Sequence, residues 1–295
     1  MELEKRSDRR IRIEAENLDL VLEASCLEEL KSEGPFARLD LVVRIVKFYK
    51  PSCGLNVRIG SQVPAGSGLG GSSSLLVGLS TALIQLENRP LDRRQIIDVG
   101  ADIETQSIRV PTGKQDYFPA AYGGVNALWF EVQGIRHEKL ELSSPFKDQM
   151  QRQILLGYSG ASRFSGSTNW DVMKRYIDGE SGTVARMGKI RKTALDMYER
   201  LKQEDLNGFA QCLAEEWNNR KGLAQGVSTP GIEKIFKSTE QAGALANKIC
   251  GAGGGGCFVS VVKEGHQAAV VEAITKNGGR VLDYSFAESG VQMIQ

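Results

Sequence analysis

Alternation between apolar and polar positions predicts the first strands of this chain. Arg10 to Glu14 alternates and predicts a half-exposed strand, and Asp19 to Glu23 predicts its hairpin partner. Leu39 to Phe48 is apolar and partly β-branched, which fits a helix or a strand. Leu55 to Ile59 alternates again and predicts a further strand.

A glycine- and serine-rich stretch follows that strand, and a helix follows the stretch. Between Val63 and Ser74 there are four glycines in six positions, and Leu75 to Ile84 is apolar and has few turn residues. Glycines let a backbone approach a ligand, and a helix amino terminus favours an anion. The stretch therefore predicts a phosphate cradle, and a flexible loop capped by serine is the alternative.

The cradle does not match the two commonest nucleotide-binding patterns. It lacks the closing Gly-Lys-Ser/Thr of a Walker A loop. The spacing of Gly66, Gly68, Gly70 and Gly71 also departs from the dinucleotide fingerprint.

Periodicity and turn residues divide the rest of the chain. Arg93 to Ile108 has a spacing near 3.6 and predicts a helix capped by Asp92. Residues 110–116 predict a loop, and residues 135–153 are polar. The other patterns predict a strand from the Gly-Gly turn at 123–124 to 130, a strand at 153–158, a loop at 159–169, helices at 183–204, 206–224 and 232–242, two strands around a glycine run at 248–262, a helix at 267–276 and a strand at 280–286. The domain boundary is placed just before residue 153, which gives domains 1–150 and 151–295.

Composition excludes several classes of function. The 295 residues carry 37 basic and 36 acidic side chains, so the net charge of +1 gives no reason to expect nucleic acid or an anionic membrane as partner. The charged residues from Met1 to Arg12 do not form a signal peptide, and no apolar run reaches about eighteen residues. Five scattered cysteines without a Cys-x-x-Cys pair argue against zinc and for a reducing cytoplasm.

Two carboxylates and a second glycine run are candidates for chemistry. Asp116 lies in the loop after Gly113, and Glu104 lies twelve residues earlier on the preceding helix. Such carboxylates can accept a proton or hold Mg²⁺, although each alone is also typical of a solvated surface. Five glycines in six residues at 251–256 predict either a nest-like turn or a tight hairpin. Tyr117 is interpreted as a packing residue.

In their order along the chain, these motifs resemble those of the GHMP kinases. The resemblance covers roughly residues 10–290 and rests on Pro-x-x-x-Gly-Leu-Gly-x-Ser-Ser from Pro64, on Gly113-Lys114-Gln115-Asp116 and on the run near Gly253. It implies an α+β fold of two domains, with mixed sheets, packed helices and a left-handed βαβ crossover in the first. It also implies that ATP binds in the cleft between the domains, at Pro64, Gly66, Ser67, Gly68, Leu69, Gly70, Gly71, Ser72, Ser73 and Ser74.

The resemblance also assigns roles to single residues. Ser72 and Glu104 match the positions that hold Mg²⁺, with Asp102 as the alternative if the helix register shifts, and Asp116 matches the catalytic aspartate. Residues 111–116 and 124–126 look most similar to bacterial heptose-phosphate kinases, with fucokinases nearby. Four residues are candidate contacts for a sugar or sugar-phosphate substrate: Lys114, Arg163, Gly253 and Gly254.

The chain departs from these kinases in one respect. Their opening strand and acceptor-binding loop have no counterpart, and Met1 is expected to fall near their second strand. The expected reaction is phosphoryl transfer from ATP to a sugar or sugar-phosphate hydroxyl, by a monomer or homodimer. The alternatives are a relative that binds nucleotide without turnover and a non-kinase of the same fold.

Overall fold

The computed structural model describes residues 1–63, 66–160 and 166–294. Backbone contacts divide the chain into two compact units. Unit 1 comprises Met1–Val63, Gly70–Gly124 and Glu288–Gln295. Unit 2 comprises Pro64–Leu69 and Val125–Ala287. The predicted boundary at residue 150 falls within unit 2, and the predicted cradle contributes residues to both units.

Unit 1 is built on a mixed sheet of four strands. The strands are β1 (Glu2–Arg6), β2 (Ile11–Ala15), β3 (Leu20–Ala24) and β4 (Gly54–Ile59), in the order β1-β4-β2-β3. The two central strands β2 and β4 run parallel, with Ile11 opposite Leu55 and Ile13 opposite Val57. All four side chains are buried. Because alternate residues of a strand share one face, this face of the sheet carries core residues.

Four α-helices and two short 3-10 helices, Glu16–Leu18 and Gly34–Leu39, complete the described part of unit 1. The α-helices are α1 (Asp40–Tyr49), α2 (Gly71–Leu86), α3 (Arg93–Ile108) and α4 (Tyr117–Tyr122). Helix α2 is apolar around most of its circumference and contacts α1, α3 and α4, as expected for a helix buried on several sides. Helix α3 begins where the Asp92 carboxylate accepts hydrogen bonds from the backbone N–H groups of Arg94 (2.8 Å) and Gln95 (3.2 Å).

Unit 2 is built on an antiparallel sheet with a separate hairpin. The hairpin is β5 (Val125–Glu131) and β6 (Gly134–Leu140), and the sheet is β7 (Ile154–Tyr158), β8 (Ala244–Ile249), β9 (Cys257–Val262) and β10 (Arg280–Leu282), in the order β10-β7-β9-β8. Phe258 and Val262 on β9 belong to one hydrophobic cluster, and Val261 belongs to another. The alternation shows that both faces of the sheet are buried.

In the described part of unit 2, six α-helices contribute many of the other residues of those two clusters. They are α5 (Ser144–Gln153), α6 (Gly166–Ile177), α7 (Ser181–Lys202), α8 (Leu206–Arg220), α9 (Pro230–Ala242) and α10 (Gln267–Lys276). Trp217 on α8 packs edge-on against Phe236 on α9, whose ring packs against Phe258. Within the described residues, no helix combines the length and apolarity that crossing a bilayer requires.

The predicted fold class is confirmed, because helices pack with sheets in both units and the unit 1 sheet is mixed. The ambiguous segment at 39–48 is the helix α1. The hand of the connection between β2 and β4 stays a prediction.

Several predicted elements are wrong in detail. The sequence pattern missed β1, β6, α4 and α5, whose polar or short segments carry little periodicity. The prediction of a loop at 159–169 is wrong from Gly166 onwards, where α6 begins. Residues 161–165 lie outside the described part of the chain. The last strand ends at Leu282, because only three residues pair with β7.

Candidate active site

The start of α2 presents unpaired backbone donors at the end of the glycine loop. Gly70 precedes the helix with a φ of 67°, in the left-handed region that glycine adopts without penalty. The first helical bond of this turn runs from the N–H of Ser74 to the carbonyl oxygen of Gly70, at 2.9 Å. The N–H groups of Gly71, Ser72 and Ser73 therefore have no intrahelical acceptor. Together with the helix dipole, they make the start of α2 a candidate anion site.

The serines of the cradle lie in different environments. Ser72 and Ser74 are exposed, whereas Ser73 is 3% exposed. In unit 2, Ser67 is 5% exposed, and its hydroxyl oxygen accepts a hydrogen bond from the N–H of Leu69 at 3.4 Å. Pro64 lies outside the described residues. Ser72 and Ser74 are therefore the serines best placed to meet a ligand at the helix start.

Within unit 2, the second glycine run lies against the first half of the loop. The N–H of Cys257 donates to the carbonyl oxygen of Ser67 at 2.7 Å. A Cβ atom on Gly68, whose φ is 77°, would lie 2.5 Å from the Cys250 carbonyl oxygen. A Cβ atom on Gly251 would lie 3.0 Å from the Cα atom of Gly68. Both glycines are therefore needed for this close backbone contact.

Gly253 and Gly254 make a different contact. The N–H of Gly254 donates to the carbonyl oxygen of Val227 at 2.8 Å. A Cβ atom on Gly253 would lie 2.5 Å from the same oxygen. These glycines thus pack the run against the chain at Val227, and the Gly254 N–H is already paired. Their contact with substrate stays a prediction.

The two predicted carboxylates come together in unit 1. Glu104, on α3, is only 6% exposed. Its Oε2 atom accepts hydrogen bonds from the Thr112 hydroxyl, at 2.9 Å, and from the Tyr117 hydroxyl. Asp116 immediately precedes α4 and is half-buried. Burial, and secondarily the negative charge of Glu104, raises the pKa of Asp116.

Asp116 also lies beside the start of α2. A Cβ atom on Gly70 would lie 3.2 Å from the Cβ atom of Asp116 and 3.8 Å from its Oδ2 atom. In the described part of the chain, Asp116 accepts no hydrogen bond and forms no ion pair. A half-buried carboxylate with a raised pKa and no partner, next to an anion site, fits a proton acceptor or a cation ligand.

Pattern analysis missed the part that Tyr117 plays here. The side chain is fully buried, as a packing residue would be, but its hydroxyl also donates to Glu104. Burial, followed by the neighbouring Glu104, raises the pKa of Tyr117, so the phenol stays protonated. The available signal was its position next to Asp116, because a buried tyrosine hydroxyl usually has a hydrogen-bond partner.

The predicted substrate cation Lys114 is engaged in an ion pair. Its Nζ atom lies 2.7 Å from Oδ1 of Asp98, and Arg94 lies 3.4 Å from Oδ2 of the same carboxylate. Burial alone would raise the pKa of Asp98, but the hydrogen bond and charge of Lys114 outweigh it and lower that pKa. Arg163, the other predicted cation, lies outside the described residues.

The residues near α2 fit a magnesium ion that is bound together with a nucleotide. In the described part of the chain, no cluster of three or more His, Cys, Asp or Glu residues could hold a metal by itself. Mg²⁺ commonly uses one or two carboxylates and the phosphates of its substrate. The negative charge of Glu104 contributes to the raised pKa of Asp116, and Ser72 is exposed at the helix start. Asp102, the alternative to Glu104, is exposed on α3.

Comparison with known proteins places the chain in a family. The family model described as GHMP kinases N terminal domain matches residues 40–124, and the model described as GHMP kinases C terminal matches residues 197–280. A D-glycero-alpha-D-manno-heptose 7-phosphate kinase from Campylobacter jejuni is 29% identical over 294 residues, covering 98% of this chain and 85% of the relative. A mevalonate kinase from Thermococcus onnurineus is 32% identical over 251 residues, covering 81% of this chain and 69% of the relative.

The fold is shared with solved structures. The crystal structure of a D-glycero-D-manno-heptose 1-phosphate kinase from Bacteroides thetaiotaomicron superposes with a TM-score of 0.76 at 24% identity, covering 98% of this chain and 84% of the other. On the two family models and the identity to these relatives, the chain belongs to the GHMP kinases.

Proposed function

We propose that this protein is an ATP-dependent kinase that transfers the γ-phosphoryl group to a hydroxyl of a sugar or sugar phosphate. The observation that carries the proposal is the juxtaposition in unit 1 of the α2 amino terminus with the Asp116 carboxylate, which itself lies near Glu104. An anion site beside a carboxylate with a raised pKa supplies the two groups that phosphoryl transfer to an alcohol needs.

The start of α2 binds the phosphates in this proposal. The N–H groups of Gly71, Ser72 and Ser73 donate to phosphate oxygens, and the helix dipole favours their negative charge. Glu104 and Ser72 would hold Mg²⁺, which would supply positive charge against the negative charge that develops during transfer.

Asp116 acts on the acceptor. Its carboxylate accepts a hydrogen bond from the attacking hydroxyl and orients the oxygen toward the γ-phosphorus. It takes the proton as the new oxygen–phosphorus bond forms and the bond from the γ-phosphorus to the bridging oxygen breaks, which releases ADP. The absence of a competing partner in the described part of the chain leaves both carboxylate oxygens available for this task.

The acceptor is proposed to resemble a heptose phosphate, because the Campylobacter jejuni relative is a heptose 7-phosphate kinase. Lys114 and Arg163 are the candidate cations for its phosphate. Lys114 would have to share its charge between that phosphate and Asp98. We further propose a small-molecule acceptor, a cytoplasmic location and a monomer or homodimer.

Two measurements test the proposal. Isothermal titration with ATP and Mg²⁺ should show binding, and a panel of sugars and sugar phosphates should reveal at least one acceptor that releases ADP. Nucleotide binding without turnover on any acceptor would favour the inactive relative. The absence of nucleotide binding would favour a non-kinase of this fold.

A further inference from the structure

A buried phenol joins three segments of the candidate site in unit 1. Tyr117 directly follows Asp116 and is fully buried at the start of α4. Its hydroxyl donates to Glu104 on α3, and the Ser73 hydroxyl on α2 lies close enough to lower the pKa of the phenol. The ring also packs on α3, where a Cβ atom on Gly100 would lie 3.3 Å from its Cε1 atom. The Tyr117 hydroxyl thus contacts both Ser73 on α2 and Glu104, the carboxylate proposed to hold Mg²⁺.

The two donors to Glu104 reach the same oxygen. The hydroxyls of Thr112 and Tyr117 both donate to Oε2, and no donor in the described part of the chain reaches Oε1. A carboxylate offers about four lone-pair positions on two oxygens. Two donors on one oxygen therefore restrain the rotation of the carboxylate and leave its other oxygen for a ligand.

We propose that Tyr117 is a positioning residue that holds Glu104 in the orientation in which Oε1 can coordinate Mg²⁺. The inference rests on the proposed kinase function, because that function supplies the metal. Tyr117 itself touches neither metal nor substrate, and Thr112 assists it from the loop. Hydrogen-bond partners of metal ligands typically change metal affinity by about 10–100-fold when they are removed.

A purely structural tyrosine would behave differently. Loss of a packing contact would lower stability and activity together, and extra metal would restore neither. Loss of a positioning hydroxyl should weaken metal binding, and high Mg²⁺ should then restore the rate. The Mg²⁺ dependence of the rate therefore distinguishes a positioning role from a purely structural one.

The test compares Tyr117→Phe and Thr112→Val with the wild-type protein. Each variant keeps most of the side-chain volume and removes one donor to Oε2. Thr112→Ser keeps a hydroxyl at this position and should restore the Mg²⁺ affinity that Thr112→Val loses. Tyr198→Phe is the matched control, since that phenol donates to the carboxylate of Glu138 at 3.0 Å in unit 2. Thr112→Val also keeps the proposal testable if Tyr117→Phe fails to fold.

Two readouts are measured for each protein. Isothermal titration of Mg²⁺ into protein saturated with a non-hydrolysable ATP analogue gives the metal affinity without turnover. The Mg²⁺ dependence of ADP release gives the metal concentration at half-maximal rate and the maximal rate. We expect Tyr117→Phe to weaken Mg²⁺ binding about tenfold and to recover most of its rate at saturating Mg²⁺. Thr112→Val should act in the same direction, and Tyr198→Phe should match the wild type.

The outcomes distinguish the two proposals. If the wild type binds Mg²⁺ and turns over a sugar, while folded Tyr117→Phe and Thr112→Val bind Mg²⁺ within about twofold of it, the positioning role is wrong and the kinase function stands. A rate lost in Tyr117→Phe that Mg²⁺ does not restore would likewise overturn the positioning role. A wild-type protein that binds neither nucleotide nor Mg²⁺ would overturn both proposals.

Discussion

Replacing Gly70 by alanine tests the geometry that brings Asp116 to the start of α2. The residue has a φ of 67°, and an added Cβ atom would lie 3.2 Å from the Cβ atom of Asp116. The left-handed conformation costs an alanine about 1–2 kcal/mol. Carbon atoms prefer a separation of about 3.5–4.0 Å, so the Asp116 side chain must also move by a few tenths of an ångström.

These two effects predict a measurable loss of stability and activity. The free energy of unfolding should fall by about 1–3 kcal/mol, which lowers the melting temperature by about 2–10 °C in a protein of this size. The rate should fall about tenfold, because small misplacements of a catalytic group are costly. Thermal unfolding and steady-state ADP release measure the two quantities.

The neighbouring residue supplies the control. Gly71 lies in the first turn of α2, and an added Cβ atom would meet nothing within 4 Å. Gly71→Ala should therefore keep the melting temperature or raise it, since alanine favours a helix by about 0.5–1 kcal/mol over glycine. Gly70→Asn should be milder than Gly70→Ala, because asparagine tolerates the left-handed conformation. A Gly70→Ala protein as stable and active as the wild type would refute the reasoning.

Three further predictions concern the charged groups. Asp116→Asn should lower turnover by about 10² or more and leave nucleotide affinity near normal, as kinetics and titration would reveal; an unchanged rate removes Asp116 from its role. The pKa of Asp116 is raised above 3.8, so folding favours the protonated carboxyl group. The contribution of that group to the free energy of unfolding is therefore lost as pH rises through the pKa of the folded state. Asp116→Asn should thus raise the melting temperature at pH 7, and a less stable variant would contradict this. The kcat/KM of the wild type should rise with pH through the same pKa, and a flat pH profile would contradict that expectation. Lys114→Met should change the free energy of unfolding by no more than about 1 kcal/mol, because the ion pair of Lys114 with Asp98 is partly exposed. The variant should also raise the KM for a phosphorylated acceptor, and an unchanged KM would exclude Lys114 from binding that acceptor.

The sequence predicted the elements whose signals are local. Helix α3 spans Arg93–Ile108 as predicted, because its apolar spacing and the cap at Asp92 both lie within the segment. Strand β1 gave no such signal. Glu2–Arg6 is a charged edge strand, and its place in the sheet comes from pairing with the distant strand β4, from Glu2 opposite Arg58 to Arg6 opposite Gly54.

The candidate site likewise has a part that the sequence predicted and a part that it did not. The resemblance to the GHMP kinases predicted Asp116 and Glu104 as a pair, and in the structure the charge of Glu104 helps to raise the pKa of Asp116. The hydrogen bond from Tyr117 to Glu104 and the ion pair between Lys114 and Asp98 were not predicted. Both contacts depend on how α3 packs beside the following loop and helix. The spacing of apolar residues along the sequence does not predict this packing.

The central claim is that the start of α2 binds the phosphates of ATP beside Asp116. A crystal structure of the protein with Mg²⁺ and a non-hydrolysable ATP analogue tests it most directly. We expect phosphate oxygens about 3 Å from the backbone nitrogen atoms of Gly71, Ser72 and Ser73, with the Asp116 carboxylate facing the γ-phosphate. A nucleotide bound elsewhere, or an Asp116 side chain turned away from the phosphates, would contradict the account.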